Sequence, residues 1–458
     1  MAPSAALLTD LYELTMAAAY VAEGIAERPA TFSLFVRALP PQRGYLVAAG
    51  LEAVLDYLES LRFTDDDLAV LDGLGLFDGS FLDHLGQLRF SGSVRAVAEG
   101  SVVFGEEPIL EVDAPIAEAQ LVETYLLNQV TTATTLTSKA ARFRQAAGEK
   151  AVVDFGFRRA QGVDAGMAVA RAVRICGLGG TSNVAGGDRF GARIVGTMAH
   201  SFVQAYEDEA EAFRVFARHF GPATVFLVDT FDTPTGVARA IEVARECRDR
   251  GVDVRGVRLD SGDVLALARD ARRDLDEAGF PEMQILASGG IDEHEIERLL
   301  GAGAPIDGFG IGSSLAVSAD APVLDTVYKL VAFDGRPVRK TSEGKATWPG
   351  GKQVWRGDEA DILGLGDEEP AWTGEALLDE VMRDGRRTDA GRADLAAVSK
   401  RFEEHWTRLP PQVRRLSQPG SWPVRPSPTL ERLTSEIEAQ RSSGDRGIAQ
   451  GSPAVGKT

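Results

Sequence analysis

Several polar residues lie where predicted strands end, and their types suit chemistry on a charged ligand. His200 follows the apolar run Ile194-Val195 and opens an amphipathic pattern that predicts a helix. A histidine at such a strand-to-helix switch can reach a cleft, where the N–H groups of the helix favour anions. Asp229 and Asp260 end two further apolar runs, and Arg258 shares one side of its strand with Asp260. These residues predict a binding site for a phosphorylated or carboxylated ligand.

Each of these residues also has a structural explanation. His200 could be a hydrogen-bonded histidine packed in a loop. Asp260 could orient ribose hydroxyls or metal-bound water, whereas Ser261 or Asp263 could simply cap the next helix. Capping accounts for one of the acidic residues and leaves Arg258 unexplained.

Aromatic and guanidinium groups follow another predicted strand, at 152–154. Phe155 and Phe157 could stack on a flat ring, while Arg158 and Arg159 could bind phosphate or carboxylate as a bidentate fork. A small polar loop, Gly179–Gly187, comes next, and it is a weak signal by itself.

Two glycine-rich turns, Ser288-Gly289-Gly290 and Gly310-Ile311-Gly312-Ser313, come after the last two predicted strands. Glycine lets backbone N–H groups approach a phosphate, and barrels often bind phosphate after their last two strands. We therefore expect a phosphate site there.

The elements that position these residues alternate between strand and helix from about residue 150 to residue 311. Such alternation predicts parallel strands with helices outside, in either a barrel or a doubly wound sheet. A barrel gathers the carboxyl ends of all its strands on one face, whereas an open sheet spreads them along an edge. We therefore predict an α/β protein with an irregular (β/α) barrel and a second α/β domain.

The predicted domains are an N-terminal α/β domain over 1–115 and the barrel with its active site over 116–325. Residues 326–408 are predicted to complete the N-terminal domain, in part through antiparallel strands that include 338–340. A Pro-rich extension and a disordered tail make up 409–458, with a helix at about 428–440. The long helical stretch over 116–147 is expected to break in its Thr-rich middle, at about 131–137.

Composition excludes several classes of function. The 458 residues carry a net charge of −19, which argues against general binding to nucleic acid or to anionic membranes. The two cysteines, Cys176 and Cys247, have no metal-ligand spacing and suit a reducing compartment. No signal peptide or long apolar run is visible, so we expect a cytoplasmic protein.

Taken together, the segments resemble the nicotinate phosphoribosyltransferase family. Each motif is weak alone, but six in the family's order, over roughly residues 7 to 356, are specific. They are Leu7-Leu8-Thr9-Asp10-Leu11-Tyr12, Gly156-Phe157-Arg158-Arg159-Ala160-Gln161-Gly162, Thr181-Ser182-Asn183, Gly196-Thr197-Met198-Ala199-His200-Ser201-Phe202, Arg258-Leu259-Asp260-Ser261-Gly262-Asp263 and Gly310-Ile311-Gly312-Ser313-Ser314.

The resemblance implies a reaction and its participants. Nicotinate would attack C1 of 5-phosphoribosyl 1-pyrophosphate and displace pyrophosphate, giving nicotinate mononucleotide for NAD biosynthesis. ATP hydrolysis would be coupled through phosphorylation of His200, as in an ATP-dependent ligase, and Mg²⁺ would accompany the phosphates. The family fold is a type II phosphoribosyltransferase barrel, in a homodimer whose sites lie at the subunit interface.

The resemblance also implies roles for single residues. Tyr12 and Phe155 or Phe157 would stack on the pyridine ring, and Arg258 would face its carboxylate or the ribose. Asp229 and Asp260 would act at the ribose or at magnesium-bound water, beside the phosphoacceptor His200. The other expected substrate-binding residues are Arg158, Arg159, Ser182, Thr197, Ser288, Gly289, Gly290, Gly310, Gly312 and Ser313, and no residue is expected to ligate a resident metal.

Three alternatives remain open. A nicotinamide phosphoribosyltransferase shares the fold, but it has an aspartate where this chain has Ser182, and an aspartate would repel a carboxylate. A non-catalytic barrel that binds a phosphorylated metabolite leaves His200, Arg258 and Asp260 without a common explanation. A Schiff-base lyase needs a strand-end lysine, and none lies at the predicted strand ends.

Overall fold

The computed structural model describes residues 4–342, 344–369 and 374–449, with side chains described up to residue 440. The chain forms two compact units. Unit 1 combines the N-terminal residues up to Thr131 with Leu324–Asp394 and the residues from Gly420 onward. Unit 2 combines Thr132–Val323 with Leu395–Pro419. One helix, α6 (Glu123–Ala147), contributes residues to both units.

Unit 1 is built mainly on β-sheets. Its strands are β1 (Pro29–Val36), β2 (Leu46–Val47), β3 (Ser93–Val97), β4 (Val102–Val103), β5 (Pro108–Pro115), β12 (Thr326–Phe333), β13 (Arg336–Pro337), β14 (Lys352–Arg356), β15 (Asp361–Leu365), β16 (Glu375–Ala376), β17 (Leu378–Arg383), β18 (Arg386–Arg387) and β19 (Val424–Pro426). They form a seven-stranded antiparallel sheet with the order β13-β12-β1-β5-β3-β17-β18, a four-stranded sheet with the order β16-β14-β15-β19, and the strand pair β2-β4. Its helices are α1 (Leu11–Ala22), α2 (Leu51–Ser60), α3 (Asp65–Asp72), α4 (Gly79–Gln87), α5 (Ile116–Leu121) and α16 (Pro428–Ala449).

The N-terminal and C-terminal parts of unit 1 share one sheet and one core. Strand β1 lies between β5 and β12, and most of its side chains are buried. Across the β1–β12 pair, the rings of Phe32 and Tyr328 stack with centroids 4.7 Å apart. The Tyr328 hydroxyl donates to the Ala119 carbonyl at 2.8 Å, so the late strand β12 is also fixed to α5.

Unit 2 is the β–α alternation that the sequence predicts. Its parallel sheet has the order β7-β6-β11-β10-β9-β8. The strands are β6 (Ala151–Asp154), β7 (Gly180–Thr181), β8 (Val225–Leu227), β9 (Gly256–Leu259), β10 (Gln284–Ala287) and β11 (Gly308–Ile311). The helices are α7 (Val163–Ile175), α8 (Val184–Phe190), α9 (His200–Gln204), α10 (Glu209–Phe220), α11 (Thr233–Arg248), α12 (Val264–Glu277), α13 (Glu293–Gly301), α14 (Ser313–Ala316) and α15 (Leu395–Arg408).

The irregularity of the barrel lies between β7 and β8. The predicted strand Ile194-Val195 is reduced to a single parallel bridge from Ile194 to Thr181, and the loop predicted over 179–187 contains the short strand β7. Within the described residues the hydrogen-bonded sheet therefore ends on β7 and β8 rather than closing.

The Thr-rich segment does not break the helix, so that prediction is wrong. The break falls at Val122, and α6 runs without interruption from Glu123 to Ala147. Thr134, Thr135 and Thr137 are buried there, and Ser138 donates to the Thr134 carbonyl at 2.6 Å. Burial of this face outweighs the low helix propensity of threonine.

The unit boundaries also differ from the predicted ones. The first boundary follows Thr131 instead of residue 115, because α5 packs on α1 and β5. Helix α15, predicted to complete the N-terminal domain, belongs to unit 2 and packs on α7. The strand predicted at 338–340 is absent, because these residues follow the short strand β13 (Arg336–Pro337) without pairing as a strand. The helix predicted to end near 440 continues to Ala449. The rest of the predicted disordered tail, 450–458, lies outside the described residues.

Among the described residues, no helix is both long enough and apolar enough to cross a membrane.

Candidate active site

The site predicted from the sequence lies at the carboxyl ends of the strands of unit 2. His200 is the first residue of α9, and Asp229 and Asp260 follow β8 and β9. The Nδ1 atom of His200 lies 3.2 Å from the Thr230 hydroxyl, and its Nε2 lies 3.7 Å from the Asp260 carboxylate. His200 is thus held between two strand ends, with 40% of its side chain exposed.

A short chain of hydrogen bonds connects three neighbouring strand ends. The Asp260 N–H and the Ser261 hydroxyl donate to Asp229 Oδ2 at 3.0 and 2.6 Å. Asp260 Oδ1 in turn accepts a hydrogen bond from the Ser288 hydroxyl. Asp263 caps α12 by accepting from the Ala266 N–H, so capping explains Asp263 but not Asp260. The two acidic residues expected to act on the ligand are therefore fixed by their neighbours.

Arg258 forms the cationic part of the site. Its guanidinium donates to the Thr197 hydroxyl and lies 5.8 Å from the centroid of the Phe155 ring. These three residues line a cavity on the inner side of the strands. The cavity therefore combines a cation with an aromatic ring, which suits a flat, anionic ligand.

Burial affects the guanidinium of Arg258. Burial lowers the pKa of Arg258, while Asp260 and Asp229 favour its charged form. Its Nε is buried and has no hydrogen-bond partner among the described residues. A buried donor without a partner costs about 1–3 kcal/mol, and a carboxylate bound in the cavity would remove that cost.

Two of the predicted glycines allow close packing around the site. A Cβ atom at Gly310 would lie 2.5 Å from the Phe155 ring, so this glycine makes room for the ring in the cavity. Gly289 has φ +85°, and a Cβ there would lie 1.6 Å from the Asp260 carbonyl oxygen. Glycine at 289 therefore lets the turn after β10 lie directly against Asp260.

Two other glycines of these turns, Gly290 and Gly312, face open space. No atom lies within 4 Å of the Cβ positions that Gly290 and Gly312 lack. Gly312 and Ser313 open the short helix α14, whose start has no side-chain cap. The start of α13, by contrast, is capped by the Asp292 carboxylate. An anion would therefore meet no side-chain cap at the start of α14, whereas Asp292 already caps the start of α13 behind the first turn.

The loop after β6 divides into structural and candidate binding residues. Asp154 is fully buried and accepts from the Gly156 N–H and the Thr181 hydroxyl, both at 2.7 Å, and burial raises its pKa. This carboxylate holds β6 to β7. Phe157 packs against Gly166 of α7 rather than joining Phe155 in the cavity.

The other predicted residues are placed as follows. Arg158 and Arg159 are exposed in a short 3-10 turn, and the charge of Arg158 contributes to lowering the pKa of Arg258. Ser182 is half-buried, and its N–H donates to the Asp154 carbonyl. Tyr12 lies in α1 of unit 1 and is 47% exposed.

Sequence reasoning missed Thr230 as a site residue. It follows Asp229 directly at the end of β8, and this position was the available signal. A residue beside a strand-end acid, in a barrel that collects strand ends, is a candidate contact for any other strand-end group.

The two carboxylates of the site have the chemistry that a magnesium ion bound to phosphates would need. Among the described residues, no cluster of three or more metal-ligating side chains occurs. Asp229 Oδ1, however, is buried and has no hydrogen-bond partner among the described residues. Mg²⁺ typically uses one or two carboxylates together with water and substrate phosphates, so Asp229 and Asp260 suit it.

Comparison with solved structures identifies the fold. The structure matches the crystal structure of human nicotinic acid phosphoribosyltransferase with a TM-score of 0.84 and 30% identity, over 94% of this chain and all of that one. The fold is that of the type II phosphoribosyltransferases, as the sequence predicted.

Sequence relatives then identify the family. A nicotinate phosphoribosyltransferase of Mycobacterium tuberculosis is 46% identical over 98% of this chain and 97% of its own length. One of Bacillus subtilis is 45% identical over 84% of this chain and 78% of its own. Residues 7–131 match the model of the nicotinate phosphoribosyltransferase N-terminal domain, and residues 150–349 match that of the nicotinate phosphoribosyltransferase family. The chain belongs to the nicotinate phosphoribosyltransferase family.

Proposed function

We propose that this protein transfers a phosphoribosyl group from 5-phosphoribosyl 1-pyrophosphate to nicotinate, as part of NAD biosynthesis in the cytoplasm. The pyridine nitrogen forms a bond to C1 of the ribose, the C1–O bond breaks, and pyrophosphate leaves. The observation that carries the proposal is the cavity lined by Arg258, Thr197 and Phe155, with the carboxylates of Asp260 and Asp229 near enough to Arg258 to favour its charged form.

Arg258 pairs with the nicotinate carboxylate through its guanidinium group, whose Nε has no partner among the described residues, and Phe155 contacts the pyridine ring. Asp229 and Asp260 lie near C1, where positive charge develops as pyrophosphate departs. Mg²⁺, when bound through these carboxylates, neutralises charge on the leaving pyrophosphate. Ser182 presents no negative charge to the acid substrate, which supports nicotinate over nicotinamide.

His200 is the proposed acceptor of the γ-phosphoryl group of ATP. The bond from the terminal phosphorus to the bridging oxygen breaks, a bond to a ring nitrogen forms, and ADP leaves. Water later cleaves the phosphohistidine. The support is the position of His200 at the start of α9, held by Thr230 and beside Asp260. Phosphate on this ring would lie at the same strand ends as the donor sugar and couple ATP hydrolysis to transfer.

The working unit is proposed to be a homodimer in which Tyr12 reaches the site of the partner. Leu8, Leu11 and Tyr12 of unit 1 are 43–48% exposed, close together along the chain. Exposed apolar clusters of this kind mark interaction surfaces.

The test is product formation from nicotinate and from nicotinamide, each with the ribose donor and Mg²⁺, with and without ATP. Nicotinate mononucleotide formation stimulated by ATP is expected. Incubation with γ-labelled ATP should label the wild-type protein in an acid-labile, base-stable form, and His200→Ala should carry no label. Equal turnover of nicotinamide would contradict the substrate assignment, and label on His200→Ala would contradict the role of the histidine.

A further inference from the structure

Unit 2 contains a buried ion cluster that the proposed mechanism does not use. It consists of Lys139 and Arg142 of α6, Glu293 at the start of α13, and Asp320 after α14. The side chains are 1%, 4%, 1% and 8% exposed, respectively. Lys139 and Arg142 are three residues apart on the helix, so both face the same side.

The contacts of the cluster are short and directional. The Lys139 ammonium lies 2.6 and 2.7 Å from the two oxygens of Glu293 and 2.9 Å from Asp320 Oδ1. Arg142 Nε donates to Glu293 at 2.7 Å and lies 3.5 Å from Asp320. Burial alone would raise the pKa of Glu293, but Lys139 and Arg142 hold it below its ordinary value. Both carboxylates are therefore held by the same two cations.

The two carboxylates of the cluster lie shortly after the two glycine-rich turns in the sequence. Glu293 follows Gly290 of the first glycine-rich turn by three residues, a span of at most about 11 Å of chain. Asp320 follows Ser313 of the second turn after one short helix. One ammonium group thus joins the segment behind the first turn to the segment behind the second.

Stability alone is a poor explanation for such an arrangement. Removing charged groups from water costs several kcal/mol per ion, and well-packed apolar residues often serve a fold equally well. What an apolar patch does not provide is a fixed, directional distance between two segments.

We propose that the buried ion cluster is a positioning device that sets the spacing between the two glycine-rich turns, so that both can hold the phosphate groups of one phosphorylated sugar. The inference rests on the proposed function, in which these turns bind the donor. Lys139 and its partners are positioning residues, and they act only through the turns.

The test compares two buried lysines. Lys139→Met removes the shared ammonium, and Lys352→Met removes one from unit 1, where Lys352 is equally buried and lies 3.1 Å from Glu111. We expect Lys139→Met to raise the KM for 5-phosphoribosyl 1-pyrophosphate by about 10-fold to 100-fold, because small misplacements of binding groups have effects of that size. The KM for nicotinate should change by less than about threefold, and Lys352→Met should lower thermal stability without the donor-specific shift.

The double variant Lys139→Met/Asp320→Asn guards against failure to fold, because it removes one charge of each sign and leaves Arg142 paired with Glu293. It should show the same donor-specific shift. Hydrogen exchange provides a readout independent of turnover. In the wild type the ribose donor should protect the amides of 288–296 and 312–320 together, and in the double variant this joint protection should be lost.

An unchanged donor KM in both Lys139 variants, or an equal shift in Lys352→Met, overturns the inference. Failure of the proposed function would give results that differ from failure of the positioning role. A wild-type protein that is protected by the donor but makes no product from nicotinate contradicts the acceptor and leaves the cluster's role standing. A wild-type protein without donor protection or product contradicts both.

Discussion

The close approach of Gly289 to Asp260 gives a prediction with a calculable size. In Gly289→Ala, the new Cβ would lie 1.6 Å from the Asp260 carbonyl oxygen, whereas contacts under 3.0 Å require a shift. The turn and the end of β9 must therefore separate by more than 1 Å. The Asp260 carboxylate accepts a hydrogen bond from the Ser288 hydroxyl, and the Ser288 N–H donates to the Leu259 carbonyl at 2.8 Å, so the carboxylate moves with this backbone.

The expected effect on catalysis follows from the size of the movement. A misplacement of about 1 Å in a catalytic group costs about 100-fold in rate. We therefore expect kcat/KM for nicotinate phosphoribosylation to fall by about 100-fold in Gly289→Ala. The strain should also lower the free energy of unfolding by about 1–3 kcal/mol.

Gly279→Ala is the matched control. Its φ of +81° is close to that of Gly289, and no atom lies within 4 Å of the added Cβ. Both variants therefore place alanine in the left-handed region, at roughly 1–2 kcal/mol, but only one meets the backbone of Asp260. The assay is steady-state kinetics beside thermal unfolding. If Gly289→Ala keeps kcat/KM within about threefold of Gly279→Ala, the steric argument is wrong.

Three further predictions concern specificity, pH and assembly. Ser182→Asp should weaken use of nicotinate relative to nicotinamide by about 1–3 kcal/mol, through repulsion of the substrate carboxylate, and an unchanged ratio of kcat/KM values would refute this. Burial raises the pKa of Glu209 to about 7, so the folded state retains a proton that the unfolded state releases, and stability is lost as the pH rises from about 4.5 to 7. Glu209→Gln should therefore unfold at a higher temperature than the wild type at pH 8 but at a similar temperature at pH 5, and an equal difference at both values would exclude the effect. Mixing Tyr12→Ala with His200→Ala subunits should restore part of the activity if sites are shared, whereas no recovery after verified exchange would argue against a shared site.

Local sequence patterns determined most of what was predicted correctly. Short apolar runs, each followed by helical periodicity, marked β8 to β11 and the residues behind them, because strands buried in a parallel sheet are apolar along their length. The placement of Asp229, Arg258 and Asp260 at strand ends followed directly. The order of six motifs then indicated the family, which the family models and the sequence relatives confirmed.

Local patterns were less informative where burial competes with propensity. The Thr-rich segment of α6 has poor helix formers, and only the packing of Thr134 and Thr137 keeps it helical. Likewise, Phe155 and Phe157 have the same type and nearly the same position, yet one lines the cavity and the other packs on α7. Which aromatic ring enters a cavity depends on the glycines that face it.

Tertiary structure alone decided the partners of each group. Thr230 meets His200 from 30 residues away, and Lys139 meets Glu293 from 154 residues away. The helix α15 likewise joins unit 2 although the chain between, Leu324–Asp394, belongs to unit 1. Periodicity along a chain reports which side of an element is buried, but a hydrogen bond or ion pair also needs a partner at a fixed distance and direction. That information exists only once the strands and helices have packed.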